Sequence, residues 1–246
     1  MNREATGLAG VRHKAYETLG STNAEALALA RTGERGPLWI TARSQSAGRG
    51  RRGSQWVSPP GNLYATLLLS EPSAPRHAPQ LSFVAALALH DAVAICAGVL
   101  GPRLRLKWPN DLLLGDRKLA GILIEGESEP AFCVAIGIGV NCATHPSDAT
   151  FPATDLAGAV VSPEQMFAAL SGAMMQRLAQ WRGGQGFASI RADWLKRATG
   201  LGQPIRVRLP ERELAGRFEG LDEAGRLLLA GEHGVSAIAA GEVFGL

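Results

Sequence analysis

The segment from Gln80 to Ala97 is apolar almost all the way round. A helix with one apolar stripe needs a single covering layer; one that is apolar on most sides has to be enclosed. Pro79 in front of it and Gly98 behind it mark a start and a stop. Phe132 to Val140 makes the same demand in extended form, because a mostly apolar run reads as a central strand covered on both faces. The chain must therefore wrap layers round a helix and a strand. Its 246 residues, 46 % hydrophobic and 19 % charged, suffice for that core and exclude a disordered polymer. No run approaches the ~20 residues of a membrane span. The first twenty residues carry Arg3, Glu4, Arg12, His13, Lys14 and Glu17, which excludes the apolar core of a secretory signal. Cys96, Cys133 and Cys142 lack CxxC spacing, so neither a disulfide framework nor a zinc knuckle organises the fold, and a reducing cytoplasm is the expected compartment.

Along the chain, Val11 to Leu19 has weak strand character. A helix opens at Ser21-Thr22-Asn23-Ala24-Glu25, where Thr22 and Glu25 have capping-box spacing, and Gly33 stops it. Strands are predicted over 38–42, 62–70, 104–108, 111–114 and 117–125, the last two joined by the turn pair Gly115-Asp116. Residues 142–157 read as a loop. Ser162, Pro163 and Gln165 start a helix to about Arg182, and another spans Phe187 to Arg197. After Gly200 the texture changes to short β runs over 204–209, 212–221, 226–229 and 234–239, which is the pattern of a small barrel or sandwich. A domain boundary is expected near 199, with an α+β domain before it.

Three segments can carry chemistry. The first is the loop Ser46 to Trp56. Net charge is only +3, so the global balance compels no nucleic-acid partner, but Arg43, Arg49, Arg51 and Arg52 fall within ten residues, interleaved with Gly48, Gly50 and Gly53. Glycines let the backbone approach a ligand and arginines offer forked donors to phosphate or carboxylate oxygens. The spacing is neither a Walker loop nor a dinucleotide fingerprint. A flexible basic turn and an RNA-contacting Arg–Gly tract remain open readings, although aromatics for base stacking are not interleaved with the arginines. The second segment is Lys107-Trp108-Pro109-Asn110-Asp111, followed at the next strand by Lys118. Pro109 must break a sheet ladder there. Taken alone, Lys118 reads as a solvated hairpin lysine; with Lys107 and Asp111 it forms a convergence of charge at one end of a hairpin. The third is Gly137-Ile138-Gly139-Val140-Asn141, where glycines permit close approach by a flat ligand or by another backbone, and Asn141 offers a donor and an acceptor suited to an adenine edge. The histidines show no metal-ligand spacing, no GxSxG elbow occurs, and no base marks Cys133 or Cys142 as a nucleophile.

In this order and spacing, Ser21-Thr22-Asn23, Ala42 to Gln45, the Gly48 to Gly53 loop, Lys107 to Asp111, Arg117 to Gly121 and Gly137 to Asn141 resemble the biotin–protein ligases over nearly the whole chain. The resemblance implies a mixed-sheet catalytic domain of the biotin/lipoate ligase type over 1–198 and a small SH3-like β domain over 199–246. It implies an ATP-dependent ligase that activates biotin as biotinyl-5′-AMP and transfers it to a lysine of a carboxylase's biotin carboxyl carrier domain. ATP and biotin are then substrates, with Mg2+ accompanying ATP and no metal site in the protein. By resemblance, Ser21, Thr22, Asn23 and Gln45 hold the ureido head, and Gly48, Arg49, Gly50 and Arg51 close over biotin and the phosphates. Lys118 bonds the biotin carboxyl oxygen. Lys118, Arg49, Asp111 and Lys107 make the catalytic set, and Arg51, Arg52, Trp56, Lys107, Asn110, Gly139 and Asn141 meet ATP or the adenylate. In 143–154 only Phe151 stands where the family's adenine-side loop often supplies an aromatic. Regulatory members carry an N-terminal helix-turn-helix domain; twenty residues precede Ser21 here, so DNA is not an expected partner. Without a long apolar run a membrane is not expected either, and a homodimer is left open. The rivals are a lipoate–protein ligase or octanoyl transferase of related fold, and a non-catalytic RNA-binding module.

Overall fold

The computed structural model describes residues 3–6, 10–147 and 151–245. Strands β1 (Arg3–Thr6), β2 (Arg12–Leu19), β3 (Leu38–Gln45), β4 (Leu63–Ser70), β5 (Leu104–Lys107), β6 (Asp111–Leu114), β7 (Arg117–Glu127) and β8 (Cys133–Val140) form one sheet in the order β1-β2-β3-β4-β8-β7-β6-β5. Only β2 and β3 are parallel; the helix α1 (Thr22–Arg31) makes that crossover, and the other neighbours are antiparallel.

Helices cover both faces, which is why the central strands are apolar without alternation. On one face Ala26 and Leu27 of α1 pack on Leu38, Ile40, Leu68 and Ala135. On the other, α2 (Leu81–Cys96), α3 (Pro163–Trp181) and α4 (Phe187–Leu195) pack over Trp39, Leu67 and Ile136, and this is the larger core. A 3-10 turn over Pro75–Gln80 precedes α2, so the regular helix begins two residues beyond Pro79. The stretch Pro75–Cys96 is long and apolar enough to span a membrane by length and composition, which corrects the expectation that no run approaches that. Its Leu81, Val84, Leu87, Leu89 and Val93 are buried in the core.

The helix caps show one agreement and one correction. Ser162 and Gln165 form the expected box, Gln165 N–H donating to Ser162 Oγ at 3.2 Å and Ser162 N–H to Gln165 Oε1 at 3.0 Å. At α1 the cap is Ser21, whose hydroxyl accepts from Ala24 N–H; the Thr22–Glu25 pair does not form. Glu25 accepts from Tyr16 Oη at 2.9 Å instead, and the Thr22 hydroxyl turns to Gln45.

Past residue 196 the chain runs beside β5, with Leu106 N–H donating to Arg197 O and Thr199 N–H to Leu106 O. It then enters a separate antiparallel sheet of SH3-like type: β9 (Pro204–Arg208), β10 (Glu213–Leu221), β11 (Leu227–Gly231), β12 (Gly234–Ile238) and β13 (Glu242–Phe244), in the order β12-β11-β10-β9-β13. A bulge between Phe218 and Gly220 bends β10. This unit docks on the first one: Trp108 Nε1 donates to Gly225 O at 3.2 Å.

Candidate active site

Strand register builds the floor of the site. On the α1 side of the sheet, Asp111, Gly121, Gly139 and Tyr64 form one row across four strands, and Leu123, Gly137 and Thr66 form the next. Glycine in the middle of both rows leaves a trough where side chains would stand. That trough continues into a cavity of about 830 Å³. What approaches the glycines is protein: a methyl on Gly137 would lie 2.3 Å from Asn23 Oδ1, and one on Gly139 2.6 Å from the Trp56 indole.

One end of the cavity is neutral and polar. Gln45 Oε1 accepts from Thr22 N–H at 2.9 Å and faces its hydroxyl at 3.1 Å. Thr66 Oγ1 lies 2.7 Å from Asn23 Oδ1. Ser21, Thr22, Asn23 and Thr66 are buried. The other end is cationic. Lys107 is 4 % exposed, its Nζ 3.9 Å from the centre of the Phe151 ring. Burial drives the Lys107 ammonium below the ordinary lysine range, with the Asp111 charge opposing and Lys118 adding to the shift.

Lys118 joins the two ends. Alternation along β7 would put it on the same face as Ala120 and Ile122, in the core. A register shift after Leu112 sets Leu113 opposite Lys118 and Leu112 opposite Ala120, leaving Leu119 as the extra residue. Leu119 and Ala120 are then both fully buried, and Lys118 turns to the glycine trough. Its Nζ lies 2.7 Å from Asp111 Oδ1, an ionic contact without an aligned hydrogen bond. A methyl on Gly121 would be 3.4 Å from the same Nζ.

The arginine loop is a hairpin over the trough. Trp56 N–H donates to Gly48 O at 3.0 Å, Gly50 N–H to Ser54 O at 2.7 Å, and Arg49 bridges to Gln55. Gly48 is forced: a methyl there would meet Trp56 O at 2.3 Å. Two arginines are held by protein partners. Arg49 Nη2 lies 3.1 Å from Glu125 Oε2, and Arg51 Nη1 donates to Asn110 Oδ1 and Gly241 O, both at 3.3 Å. Arg52 is exposed at the rim, with φ of 55°. Asn110 Nδ2 donates to Ile122 O at 2.6 Å. Asn141 lines the cavity, and one hydrogen of its Nδ2 goes to Thr154 O at 2.9 Å, which ties the 152–156 loop to the end of β8. Burial pushes the Cys142 thiol up to about 11, which keeps it protonated at neutral pH.

The residues given catalytic, biotin-binding or ATP-binding roles, apart from Gly48 beneath the hairpin, line this one cavity. The sequence reading missed Thr66, Glu125, Ser58 and the C-terminal residues Gly241, Glu242 and Val243. Thr66 carried a signal, a hydroxyl inside the strand Leu63–Ser70 that is otherwise buried on both faces. The C-terminal residues carried none, since they arrive from another sheet.

The depressed Lys107 has a consequence for stability. Between its lowered value and the ordinary one, the unfolded chain binds more protons at this site than the folded chain, so this residue makes folding more favourable as pH rises through that window. Lys107→Met removes the buried charge and keeps the stem against Phe151. A gain of ~1 kcal/mol, about 2–4 °C in Tm for a chain of this size, is expected at pH 7 with the alkaline trend flattened. A thermal melt series from pH 7 to 10 checks it; an equal or lower Tm at pH 7 contradicts it.

Family models match in two places. Residues 19–141 match the biotin/lipoate A/B protein ligase family and residues 200–245 the biotin protein ligase C-terminal domain. The chain is 47 % identical over 234 residues to a biotin–[acetyl-CoA-carboxylase] ligase of Paracoccus denitrificans, covering 91 % of this chain and 96 % of that one. It is 33 % identical over 234 residues to the ligase of the same name from Mycobacterium tuberculosis, covering 91 % and 85 %. Its fold superposes on the biotin protein ligase of Aquifex aeolicus, solved in complex with biotin and ATP, with a TM-score of 0.81 over 94 % of this chain and 97 % of that one at 24 % identity. With one family model over residues 19–141, the other over 200–245, and 47 % identity across 96 % of a relative, the chain belongs to the biotin protein ligase family.

Proposed function

We propose that this protein joins biotin to a lysine of a carboxylase's carrier domain in two steps, using the unit 1–198 for both substrates and the unit 199–246 to close one wall. The observation that carries this reading is the placement of Lys118. A bulge turns it out of the core to the junction between a neutral polar limb and a cationic limb. That is where a carboxylate on a neutral head group would meet an α-phosphate.

In the first step a biotin carboxylate oxygen attacks the α-phosphorus of ATP. The bond to the β-phosphate oxygen breaks, and pyrophosphate leaves with the magnesium that enters as part of the ATP substrate. In the second, a carrier lysine amine attacks the acyl carbon of the mixed anhydride and AMP leaves. Both steps gather charge on oxygens and need preorganised donors more than a covalent nucleophile. Lys118 supplies that charge at the carboxyl–phosphoryl junction. Lys107 and Arg51 face the phosphates from the other limb, and Asp111, 2.7 Å from Lys118, orients the incoming amine. Ser21, Thr22, Asn23 and Gln45 hold the ureido head. Trp56, lying over Gly139 and Gly121, roofs the junction and keeps water from the anhydride. Phe151, against Lys107, is the aromatic on the adenine side. The site is proposed to work in the cytoplasm.

The rivals fit less well. A lipoate head has no N–H donors for the acceptors at Asn23 and Gln45. An RNA-binding Arg–Gly tract needs free arginines, whereas Arg49 is paired with Glu125 and Arg51 is bonded to Asn110 and Gly241. Biotin-dependent ATP–pyrophosphate exchange tests the assignment: exchange with lipoate and none with biotin favours the first rival, and no exchange with either favours the second.

Arg51→Ala removes a charged donor above the phosphates together with the tie to Gly241 O. Loss of one charged hydrogen bond of about 1.5–3 kcal/mol corresponds to roughly ten- to hundredfold faster escape of biotinyl-AMP. Trapping released adenylate with free hydroxylamine checks this, and an unchanged release rate contradicts it.

A further inference from the structure

A continuous run of hydrogen bonds links the two arms of the hairpin through the neutral limb. On one side Ser58 Oγ donates to Trp56 O at 2.8 Å, Gln45 Nε2 donates to Ser58 Oγ at 2.9 Å, and Gln45 Oε1 accepts from Thr22 N–H. In the middle Thr66 Oγ1 lies 2.8 Å from Thr22 Oγ1 and 2.7 Å from Asn23 Oδ1. On the other side Asn23 Nδ2 donates to Glu125 Oε2 at 2.8 Å, and Arg49 Nη2 donates to the same oxygen at 3.1 Å.

Each end of the run fixes a direction. A backbone N–H can only donate, so Thr22 N–H turns the oxygen of Gln45 toward itself. A carboxylate can only accept. Glu125 therefore draws the nitrogen of Asn23 outward, where Leu123 O takes its second hydrogen at 3.3 Å, and leaves the Asn23 oxygen facing inward. The Thr66 proton goes to that oxygen. One hydroxyl proton, that of Thr22, remains for two acceptors, Thr66 Oγ1 and Gln45 Oε1. Two hydroxyl protons thus serve three oxygen–oxygen contacts, and the limb carries a surplus of acceptors. It is made complete by a ligand that brings N–H groups, as a cyclic urea does.

We propose that Glu125 is a positioning residue for the head group. It sets the direction of the network, so that the limb selects N–H donors, and through Arg49 it ties the same carboxylate oxygen to the hairpin. Glu125 itself does not line the cavity; it acts through Asn23. This rests on the biotin reading above.

The test is Glu125→Gln, alone and combined with Asn23→Asp. Gln at 125 can offer its NH2 to Asn23 and let that amide turn over. Isothermal titration of the full chain with biotin alone is expected to show at least tenfold weaker binding, with the Kd for ATP within threefold of wild type and Tm unchanged. In the double variant the acceptor-only group lies inside and the donor outside, so biotin affinity should return to within tenfold of wild type. Biotin binding within threefold of wild type in the single variant overturns the proposal. So does equal weakening toward ATP, or a double variant that binds no better than the single one. Should the single variant fail to fold, the double one decides alone, by the tenfold limit. Failure of the wild-type chain to bind biotin would instead remove the functional reading on which this rests.

Discussion

Lys118→Met is expected to slow adenylate formation, and transfer from preformed biotinyl-AMP, each by on the order of a hundredfold or more, the scale seen when an oxyanion donor is removed. The stem survives and only the charge goes. An ammonium beside the biotin carboxylate attracts it in the ground state, and more strongly as charge develops between carboxyl and phosphoryl oxygens, so the loss falls on the rate. One step reacts at the α-phosphorus and the other at the acyl carbon, but both gather charge on oxygens of the same carboxyl–phosphoryl junction, so both slow. The substitution also leaves Asp111, with a side chain only 14 % exposed, without its cation. Lys118→Met combined with Asp111→Asn separates the two effects: recovered stability without a recovered rate of adenylate formation, the step in which no amine has to be oriented, assigns the loss to the Lys118 charge. Single-turnover assays of the two steps are the measurement. A solvated hairpin lysine would change neither rate, with stability within about 0.5 kcal/mol. Near-wild-type rates in a folded variant would take Lys118 out of the site.

That outcome turns on a detail the strand pattern half reveals. Arg117-Lys118-Leu119-Ala120 does not alternate, and two adjacent apolar residues in a strand with one open face are what a bulge leaves behind. The bulge was legible in principle, yet it decides whether Lys118 faces the core or the trough, and only the pairing with β6 settles that. Pro79 and Gly98 bracketed α2 to within two residues because local chemistry ends helices. Thr22 and Glu25 misled as a capping box because spacing alone cannot say that Gln45 and Tyr16 compete for the same groups. Asn141 was legible as a site residue but not as a loop support, since Thr154, thirteen positions away, enters only through the fold. Glu125 stood in plain view at the end of Ile122-Leu123-Ile124, but its partners Asn23 and Arg49 are 102 and 76 residues distant. The Gly241 carbonyl that Arg51 reaches is 190 residues from it and lies just before β13 of the other sheet. Local rules give elements; long-range closure gives the polarity of the site.

Gly137→Ala puts that closure under direct strain, and its expected effect on biotin is as large as that of Lys118→Met on rate. The new methyl would stand 2.3 Å from Asn23 Oδ1 and 2.9 Å from its Cγ. One of the two must yield. The strand cannot, because β8 is paired along its length with β4 and β7. Asn23 must therefore leave its bonds to Thr66 and Glu125, and the inward acceptor goes with it. Biotin affinity should fall by about a hundredfold or more, the scale of a site left with unpaired buried polar groups, while ATP binding persists. Overpacking here should lower stability by about 1–3 kcal/mol. Adding Asn23→Ala separates the causes. The double variant loses the clash, so its stability should exceed the Gly137→Ala value, an interaction energy between touching residues. Its biotin affinity should stay low, since the acceptor is absent by either route. Gly172 gives the contrast: a methyl there meets nothing within 4 Å, and it lies inside α3, so Gly172→Ala should stabilise the fold by roughly 0.5–1 kcal/mol with biotin binding unchanged. Calorimetric titration and thermal melts of the three variants beside wild type decide the matter. If Gly137→Ala bound biotin like wild type, Asn23 would not hold the head group, and the trough would have to be read from its cationic end alone.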